Sequence, residues 1–307
     1  MNLSVQLAPK HHRGLLLANP VVTASGTFGY GIEYSHLFDV ERLGAIVTKG
    51  TTLEPRDGNA QPRLVETAGG LLNSIGLQNI GARALIKERA PIWANWRVPV
   101  IVNIAGETVS DYAKLASMLD GVAGISGLEV NISCPNIKAG GAEFGAEPAS
   151  AAKVTAAVRA ATSLPLLVKL TPNTGDIVEV AIAVARAGAD GLSLINTLEG
   201  MAIDINRRRP LLGSVTGGLS GPAVKPVALA MVYEVAGSVG LPVVGCGGIA
   251  TSSDAIEFIM AGASAVQVGT ASLVNPRAAL DVLEGIEGFM AEEGIGDINN
   301  LIGVARR

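Results

Sequence analysis

Short apolar runs recur along this chain and alternate with longer segments of mixed polarity. Most of the runs are rich in β-branched residues. Their near-continuous apolar character is typical of parallel strands that are buried on both faces. The eight predicted strands are Pro20–Thr23, Ala45–Thr48, Val98–Asn103, Leu128–Ile132, Leu166–Leu170, Gly191–Ile195, Pro242–Cys246 and Ala265–Val268.

Helical periodicity lies between these strands. Apolar residues at i, i+3, i+4 and i+7 within Val154–Ala161 predict a helix, with Ser150 as its N-cap. The same spacing within Ile177–Val184 predicts a second helix, which starts near Asn173 and ends before Gly188 as the C′ glycine.

Eight strands that alternate with helices predict an α/β fold, a closed (β/α)8 TIM barrel that forms one domain over residues 1–307. An open doubly wound sheet is the alternative, but the dinucleotide fingerprint that follows its first strand is absent. Alternation within Leu3–Leu7, followed by Leu15–Leu17, predicts an N-terminal β-hairpin at the bottom of the barrel. Long loops are expected after the fourth and sixth strands, at Ser133–Glu147 and Thr197–Gly221, where barrels carry binding residues.

The composition of the chain argues against several classes of function. Charged residues make up only 16% of the 307 residues and the net charge is −4, which argues against a nucleic-acid-binding surface. No apolar run reaches the roughly 18 residues that span a bilayer, and no signal peptide is visible, so a cytoplasmic protein is expected. The two cysteines cannot supply the thiolates that an iron–sulfur cluster requires.

Glycine-rich segments follow the last two predicted strands, at Gly245–Ile249 and Gly269–Ala271. The loops after strands seven and eight are the usual phosphate site of such barrels, because glycines let backbone N–H groups approach an anion. Tight turns alone would also explain one such loop, but two in the correct order favour phosphate binding.

Two lysines, Lys49 and Lys169, lie at the ends of predicted strands. One such lysine could extend to solvent, but two indicate an anionic ligand above the barrel. A flavin that accepts hydride gains negative charge at its N1/O2 edge, which an ammonium group would stabilise.

Asparagines cluster in the same layer. Each offers hydrogen-bond donors and an acceptor, which suits a planar ring with alternating C=O and N–H groups, such as a pyrimidine. A single asparagine in this position is more often a turn or helix cap. The five residues are Asn73, Asn103, Asn131, Asn136 and Asn196.

Cys134 opens the long loop after the fourth strand, where a thiol could act as a general base or as a nucleophile. Cys246, among glycines at a strand end, is expected to be a small buried side chain. The three histidines all lie within the first 36 residues, which argues against a histidine base, and no metal site is expected. Arg207–Arg209 is interpreted as an exposed loop or a subunit contact.

Taken together, the motifs resemble those of class 1 dihydroorotate dehydrogenases, and specifically the class 1B catalytic subunit. The resemblance covers essentially the whole chain. It is carried by Ala24–Gly29, Asn73–Asn79, Asn131–Asn136, Ile195–Thr197, Gly217–Ala223 and the two terminal glycine loops.

The resemblance implies oxidation of dihydroorotate to orotate in pyrimidine biosynthesis, with FMN as hydride acceptor. Cys134 would be the base that removes the C5 proton. The implied substrate-binding residues are Lys49, Asn73, Ser74, Ile75, Gly76, Leu77, Asn131, Asn136, Asn196 and Thr197. The implied FMN-binding residues are Ser25, Lys49, Gly50, Asn103, Asn131, Lys169, Ile195, Gly221, Gly247, Gly248, Gly269 and Thr270.

The subclass is indicated by the segment Pro135–Gly141 followed by Phe144–Gly145. Class 1B enzymes pass electrons to NAD⁺ through a partner subunit that carries FAD and a [2Fe–2S] cluster, so the resemblance implies a homodimer core joined by two such subunits. Gly50 departs from the family, which often has a small side-chain residue there. A fumarate-linked class 1A enzyme, another flavin-dependent pyrimidine oxidoreductase and a non-catalytic phosphate-binding barrel are the alternatives.

Overall fold

The computed structural model describes residues 1–133 and 144–306. The strands within these ranges are β1 (Val5–Gln6), β2 (Leu16–Leu17), β3 (Val21–Thr23), β4 (Ile46–Val47), β5 (Leu64–Thr67), β6 (Gly70–Asn73), β7 (Val100–Ile104), β8 (Gly127–Asn131), β9 (Leu166–Leu170), β10 (Gly191–Leu194), β11 (Leu198–Gly200), β12 (Ile203–Asp204), β13 (Arg209–Pro210), β14 (Gly217–Ser220), β15 (Val243–Cys246) and β16 (Ala265–Val268).

The α-helices in the same ranges are α1 (Gly81–Glu88), α2 (Ala90–Trp93), α3 (Val109–Leu119), α4 (Pro148–Ala161), α5 (Ile177–Arg186), α6 (Lys225–Ser238), α7 (Ser252–Ala261), α8 (Ala271–Val274) and α9 (Ala278–Glu292). Short 3₁₀ helices lie at Val40–Arg42, Phe144–Ala146, Pro222–Val224, Ile298–Leu301 and Val304–Arg306. Within the described residues, no helix is both long and apolar enough to cross a membrane.

Eight parallel strands form the barrel, in the order β3-β16-β15-β10-β9-β8-β7-β4. Its two edge strands meet at a parallel bridge between Val22 and Ala45, where the Thr23 amide donates to the Ala45 carbonyl over 3.3 Å. The predicted (β/α)8 barrel is therefore confirmed. Each predicted strand overlaps an observed one, with ends that differ by at most two residues.

Both predicted helices are present, and one of the two predicted caps is wrong. Ser150 lies inside α4, which begins at Pro148 after Glu147, because proline is well suited to the first helical position. In α5 the Asp176 carboxylate accepts from the Val178 and Glu179 amides. Gly188, with φ at +105°, follows the C-cap residue Ala187 of α5 and so occupies the predicted C′ position.

The N-terminal hairpin lies under the barrel, at the end where the strands begin. β1 and β2 pair antiparallel, with Val5 opposite Leu17. The Leu7 carbonyl oxygen approaches Gly191 at the start of β10 so closely that a Cβ there would lie 2.9 Å from it. Leu7 is fully buried. The predicted hairpin and its position are confirmed.

A second, antiparallel sheet, with the order β11-β14-β6-β5, stands on the opposite end of the barrel. We call that end, where the barrel strands finish, the upper end. The sheet joins the predicted long loop 197–221 to a further long connection, residues 49–80, which was not predicted. The pairing of β6 with β14, which places Asn73 opposite Gly218, joins segments that are far apart in the chain, and local patterns carry no signal for it.

Candidate active site at the strand ends

Polar side chains replace the apolar filling of the barrel near its upper end. Lys169, on β9, is only 3% exposed. Its Nζ donates to Gln267 Oε1 over 3.1 Å and to Ser25 Oγ over 3.3 Å. Burial alone lowers the pKa of Lys169, but Cys246 and Glu129 raise it, and the net direction is upward. The side chain is therefore an ammonium ion.

Glu129, on β8, lies at the centre of this layer and is fully buried. Its Oε1 accepts from Asn103 Nδ2 over 2.7 Å, and its Oε2 accepts from Ser193 Oγ over 2.8 Å and Gln267 Nε2 over 2.6 Å. Lys169 Nζ lies 4.0 Å from Oε1. The buried carboxylate is thus both hydrogen-bonded and compensated by a cation.

One atom of this layer is left without a partner among the described residues, the buried Oδ1 of Asn103. A Cβ added to Gly50 would lie 3.1 Å from it and 3.2 Å from Leu77 Cδ2. A buried polar atom without a hydrogen bond is costly and calls for an explanation, such as a ligand.

Asn131, the last residue of β8, joins two strand ends. Its Oδ1 accepts from the Ser133 amide over 3.1 Å and from Asn196 Nδ2 over 3.2 Å. The Asn131 carbonyl accepts from the Tyr112 hydroxyl over 2.6 Å. The Asn196 amide donates to the Leu170 carbonyl over 3.0 Å. These bonds fix both asparagines at the upper end of the barrel.

The upper sheet forms a wall beside these asparagines. Asn73 Nδ2 donates to the Gly218 carbonyl over 3.1 Å. Gly218 packs so tightly that a Cβ there would lie 2.0 Å from Thr197 Oγ1. The Thr197 carbonyl in turn accepts from Asn173 Nδ2 over 3.1 Å. Sheet and barrel are therefore coupled at Thr197.

The turn after β6 is held in an unusual backbone conformation. Gly76 has φ at +73° and Leu77 has φ at +55°, a region that non-glycine residues seldom adopt. Asn59 supports the turn: its amide donates to the Ile75 carbonyl over 3.0 Å, and its Nδ2 to Ser74 Oγ over 2.7 Å.

Lys49 follows β4 at the same end. Its amide donates to the Gly29 carbonyl over 2.8 Å. Burial lowers the pKa of the Lys49 ammonium, nearby Arg63 lowers it further, and Glu33 partly opposes them. A partly desolvated cation of this kind is suited to pairing with a carboxylate.

The glycine loop after β15 keeps its backbone close to the neighbouring helix. Gly247 and Gly248 have φ at +132° and +75°, which favours glycine. A Cβ at Gly247 would lie 2.7 Å from Ala228 Cβ, and one at Gly248 would lie 2.8 Å from the Lys225 amide nitrogen. No side chain fits between loop and helix.

The loop after β16 meets the upper sheet. Thr270 Oγ1 donates to Ser220 Oγ over 2.8 Å. A Cβ at Gly269 would lie 3.2 Å from Ala24 Cβ. Gly221, with φ at +95°, packs against Gly70 so that a Cβ there would lie 2.8 Å from the Gly70 Cα. The two glycine loops thus frame the upper end with backbone.

Comparison with known proteins identifies the family. The family model described as dihydroorotate dehydrogenase matches residues 9–290. The chain belongs to the dihydroorotate dehydrogenase family. It is 60% identical over 289 residues to "Dihydroorotate dehydrogenase B (NAD(+)), catalytic subunit" of Trichlorobacter lovleyi, covering 94% of this chain and 95% of the relative. Proteins with the same name from Desulforamulus reducens and Desulforudis audaxviator are 56% and 58% identical, covering 99% and 96% of both chains, respectively.

Most of the site residues expected from the sequence lie at the upper end of the barrel, although their roles in binding stay predictions. Cys134 and Asn136 lie outside the described residues. Most of the other positions take part in the hydrogen bonds or close packing described above. These residues are Ser25, Gly50, Asn73, Leu77, Asn103, Asn131, Lys169, Ile195, Asn196, Thr197, Gly221, Gly247, Gly269 and Thr270.

Sequence reasoning missed Glu129, Ser193 and Gln267, which complete the polar layer around Lys169. The available signal was a polar side chain inside an otherwise apolar strand run. Cys246 is buried, as expected, and burial raises the pKa of its thiol, against the opposing effect of Lys169. Across residues 1–133 and 144–306, no group of three or more histidine, cysteine, aspartate or glutamate side chains is arranged to hold a metal ion.

Proposed function

We propose that this chain is the catalytic subunit of an NAD-linked dihydroorotate dehydrogenase and that FMN binds at its upper end. The observation that supports this proposal most directly is that Lys169 and Asn103 both approach the buried Glu129 carboxylate, while Asn103 Oδ1 has no partner among the described residues. The reaction oxidises dihydroorotate to orotate in pyrimidine biosynthesis.

The residues present fit a flavin mononucleotide. Asn103 Oδ1 needs a donor, and a planar ring with N–H and C=O groups supplies one. Gly247, Gly248 and Gly269 carry no side chains, so the backbone N–H groups of their loops could approach a phosphate group. Lys169 would balance negative charge at the N1/O2 edge of the ring. Bound FMN would supply the acceptor for the hydride from C6 of the substrate.

Dihydroorotate carries a carboxylate on a pyrimidine ring, and the site offers groups for both. Lys49 would pair with the carboxylate, aided by the turn Ser74–Leu77. Asn73, Asn131 and Asn196 would hydrogen-bond the ring, and their orientations are already fixed by protein partners. Thr197 and Asn136 complete the proposed substrate set.

Cys134 is proposed as the base that takes the C5 proton. A free thiol has a pKa of about 8.5, so the rate should rise with pH as the thiolate forms. The test is anaerobic mixing with dihydroorotate while flavin absorbance is followed. Cys134→Ala should retain yellow FMN but almost lose bleaching, and Cys134→Ser should respond differently to pH. Wild-type bleaching in Cys134→Ala would contradict this role.

We further propose that electrons leave through a partner subunit with FAD and a [2Fe–2S] cluster, on a homodimer core of this chain in a cytoplasmic heterotetramer. The chain's two cysteines are too few for such a cluster. Orotate formation should be measured with NAD⁺ and with fumarate, by the chain alone and with its partner. NAD⁺ reduction that requires the partner supports the assignment, and efficient fumarate reduction by the chain alone contradicts it.

A further inference from the structure

Five buried side chains from five strands meet inside the barrel under the proposed flavin site. They are at most 3% exposed, and their hydrogen bonds cross the barrel, from β8 to β10 and to β16, so they point inward. We call them the polar floor. Its members are Asn103, Glu129, Lys169, Ser193 and Gln267.

Glu129 determines how the two amides of the polar floor are oriented. A carboxylate accepts hydrogen bonds and donates none. Gln267 must therefore turn Nε2 towards Glu129, which leaves its Oε1 to accept from Lys169. Asn103 must likewise turn Nδ2 towards Glu129, which leaves its Oδ1 as the atom without a protein partner among the described residues.

We infer that Glu129 is a positioning residue for the cofactor, which fixes Asn103 as a hydrogen-bond acceptor and Lys169 as a cation on the floor of the flavin site. The inference rests on the proposed FMN binding. The oxidised isoalloxazine ring has a single N–H group, at N3, so this is the ring donor that an Asn103 acceptor selects. Glu129 itself acts through Asn103 and Lys169.

Replacing Glu129 by glutamine keeps the size of the side chain but adds a donor. If the new amide oxygen continues to accept from Ser193 and Gln267, its NH₂ faces Asn103 Nδ2, and two donors oppose each other. Rotation of the Asn103 amide relieves this conflict most easily, because Asn103 Oδ1 has no protein partner to lose among the described residues. Asn103 then offers NH₂ to the ligand.

The experiment titrates apoprotein with FMN and with 3-deaza-FMN, in which a CH₂ group replaces the N3–H group. Loss of one hydrogen bond to a buried acceptor should weaken binding of the analogue to wild type about tenfold. Glu129→Gln should bind FMN more weakly and reduce this preference to less than about twofold. Ser193→Ala, which removes a different bond to the same carboxylate, is the matched control and should keep the preference.

A charge-swapped double variant, Asn103→Asp with Glu129→Gln, tests the mechanism independently. In this variant the new amide at position 129 donates to one oxygen of the new carboxylate at position 103, and the other oxygen again presents an acceptor. The total charge of the polar floor is unchanged. The preference for FMN over the analogue should return, whereas a merely structural role for Glu129 predicts no such rescue.

The outcomes separate the two proposals. If wild-type apoprotein does not bind FMN, the proposed function fails. If it binds FMN but does not prefer FMN to the analogue, or if Glu129→Gln keeps the full preference, the inference about Glu129 is wrong. Should Glu129→Gln fail to fold, the double variant decides, because failure to regain the preference contradicts the inference.

Discussion

Lys49 and Lys169 both stand at strand ends, yet their surroundings move their pKa values in opposite directions. Burial, assisted by Arg63, lowers that of Lys49. Burial also lowers the pKa of Lys169, but Cys246 and Glu129 raise it by more, so the net shift is upward. At the residue scale, the surroundings therefore raise the pKa of Lys169 above that of an ordinary lysine and lower the pKa of Lys49 below it.

Orotate binding should therefore weaken at alkaline pH. Because the pKa of Lys49 lies below the usual value of about 10.4, its positive charge is lost at a lower pH than that of an ordinary lysine as the pH rises. Titrations of the FMN-loaded protein with orotate at increasing pH should show this decline. Lys49→Met should weaken binding roughly ten- to a hundredfold at neutral pH and remove the decline. If orotate binding to Lys49→Met still weakened at alkaline pH as it does in wild type, a group other than Lys49 would be responsible for the pH dependence.

At the scale of elements, the upper sheet links residues 49–80 to residues 197–221 through the pairing of β6 with β14. Gly218 lies at this junction, and its neighbour Thr197 cannot accommodate a further carbon atom without moving. The position of the proposed substrate-binding asparagines therefore depends on close backbone contact in a sheet whose strands are remote in sequence.

Gly218→Ala should impair orotate binding more than folding. The added Cβ would meet Thr197 Oγ1 at 2.0 Å and push the sheet away from the barrel. We expect at least a roughly tenfold weaker binding constant by titration, with FMN still bound. Gly288→Ala is the control, because no atom lies within 4 Å of a Cβ there. Since Gly288 lies within α9, alanine should stabilise the fold by about 0.5–1 kcal/mol without affecting orotate. Equal binding by both variants would show that the junction does not matter.

The sequence predicted the barrel strands well because parallel strands buried on both faces leave continuous apolar runs. It also indicated the strand-end lysines and glycines. It did not reveal the upper sheet, since the pairing of Asn73 with Gly218 depends on chain segments far apart. Nor did it single out Glu129 or Gln267, because the sequence of an apolar strand with one polar residue does not show which side chains of other strands that residue contacts in the closed barrel.

At the scale of the whole molecule, the two ends of the barrel have separate tasks. The hairpin β1–β2 covers the end where strands begin, with Leu7 buried against the start of β10. The proposed site occupies the other end. Changes at the hairpin should therefore alter stability and leave the chemistry of the site unaffected.

Leu7→Ala should lower the free energy of unfolding by about 2–5 kcal/mol, the usual result of emptying a fully buried leucine site. Leu16→Ala, on the same hairpin but at a residue that is 63% exposed, should change it by less than about 0.5 kcal/mol. Urea unfolding measures both. The rate of flavin bleaching by dihydroorotate should be the same in the two folded variants, and a selective loss in Leu7→Ala would show that the ends are coupled.

The pairing of Lys169 with Glu129 also bears on the order of assembly. Because Glu129 of the same chain compensates the buried Lys169 ammonium, the barrel can close without a bound phosphate-bearing nucleotide to neutralise this charge. The polypeptide can then reach its native topology first and bind its prosthetic group afterwards, with Asn103 Oδ1 as an atom of the polar floor that has no partner among the described residues.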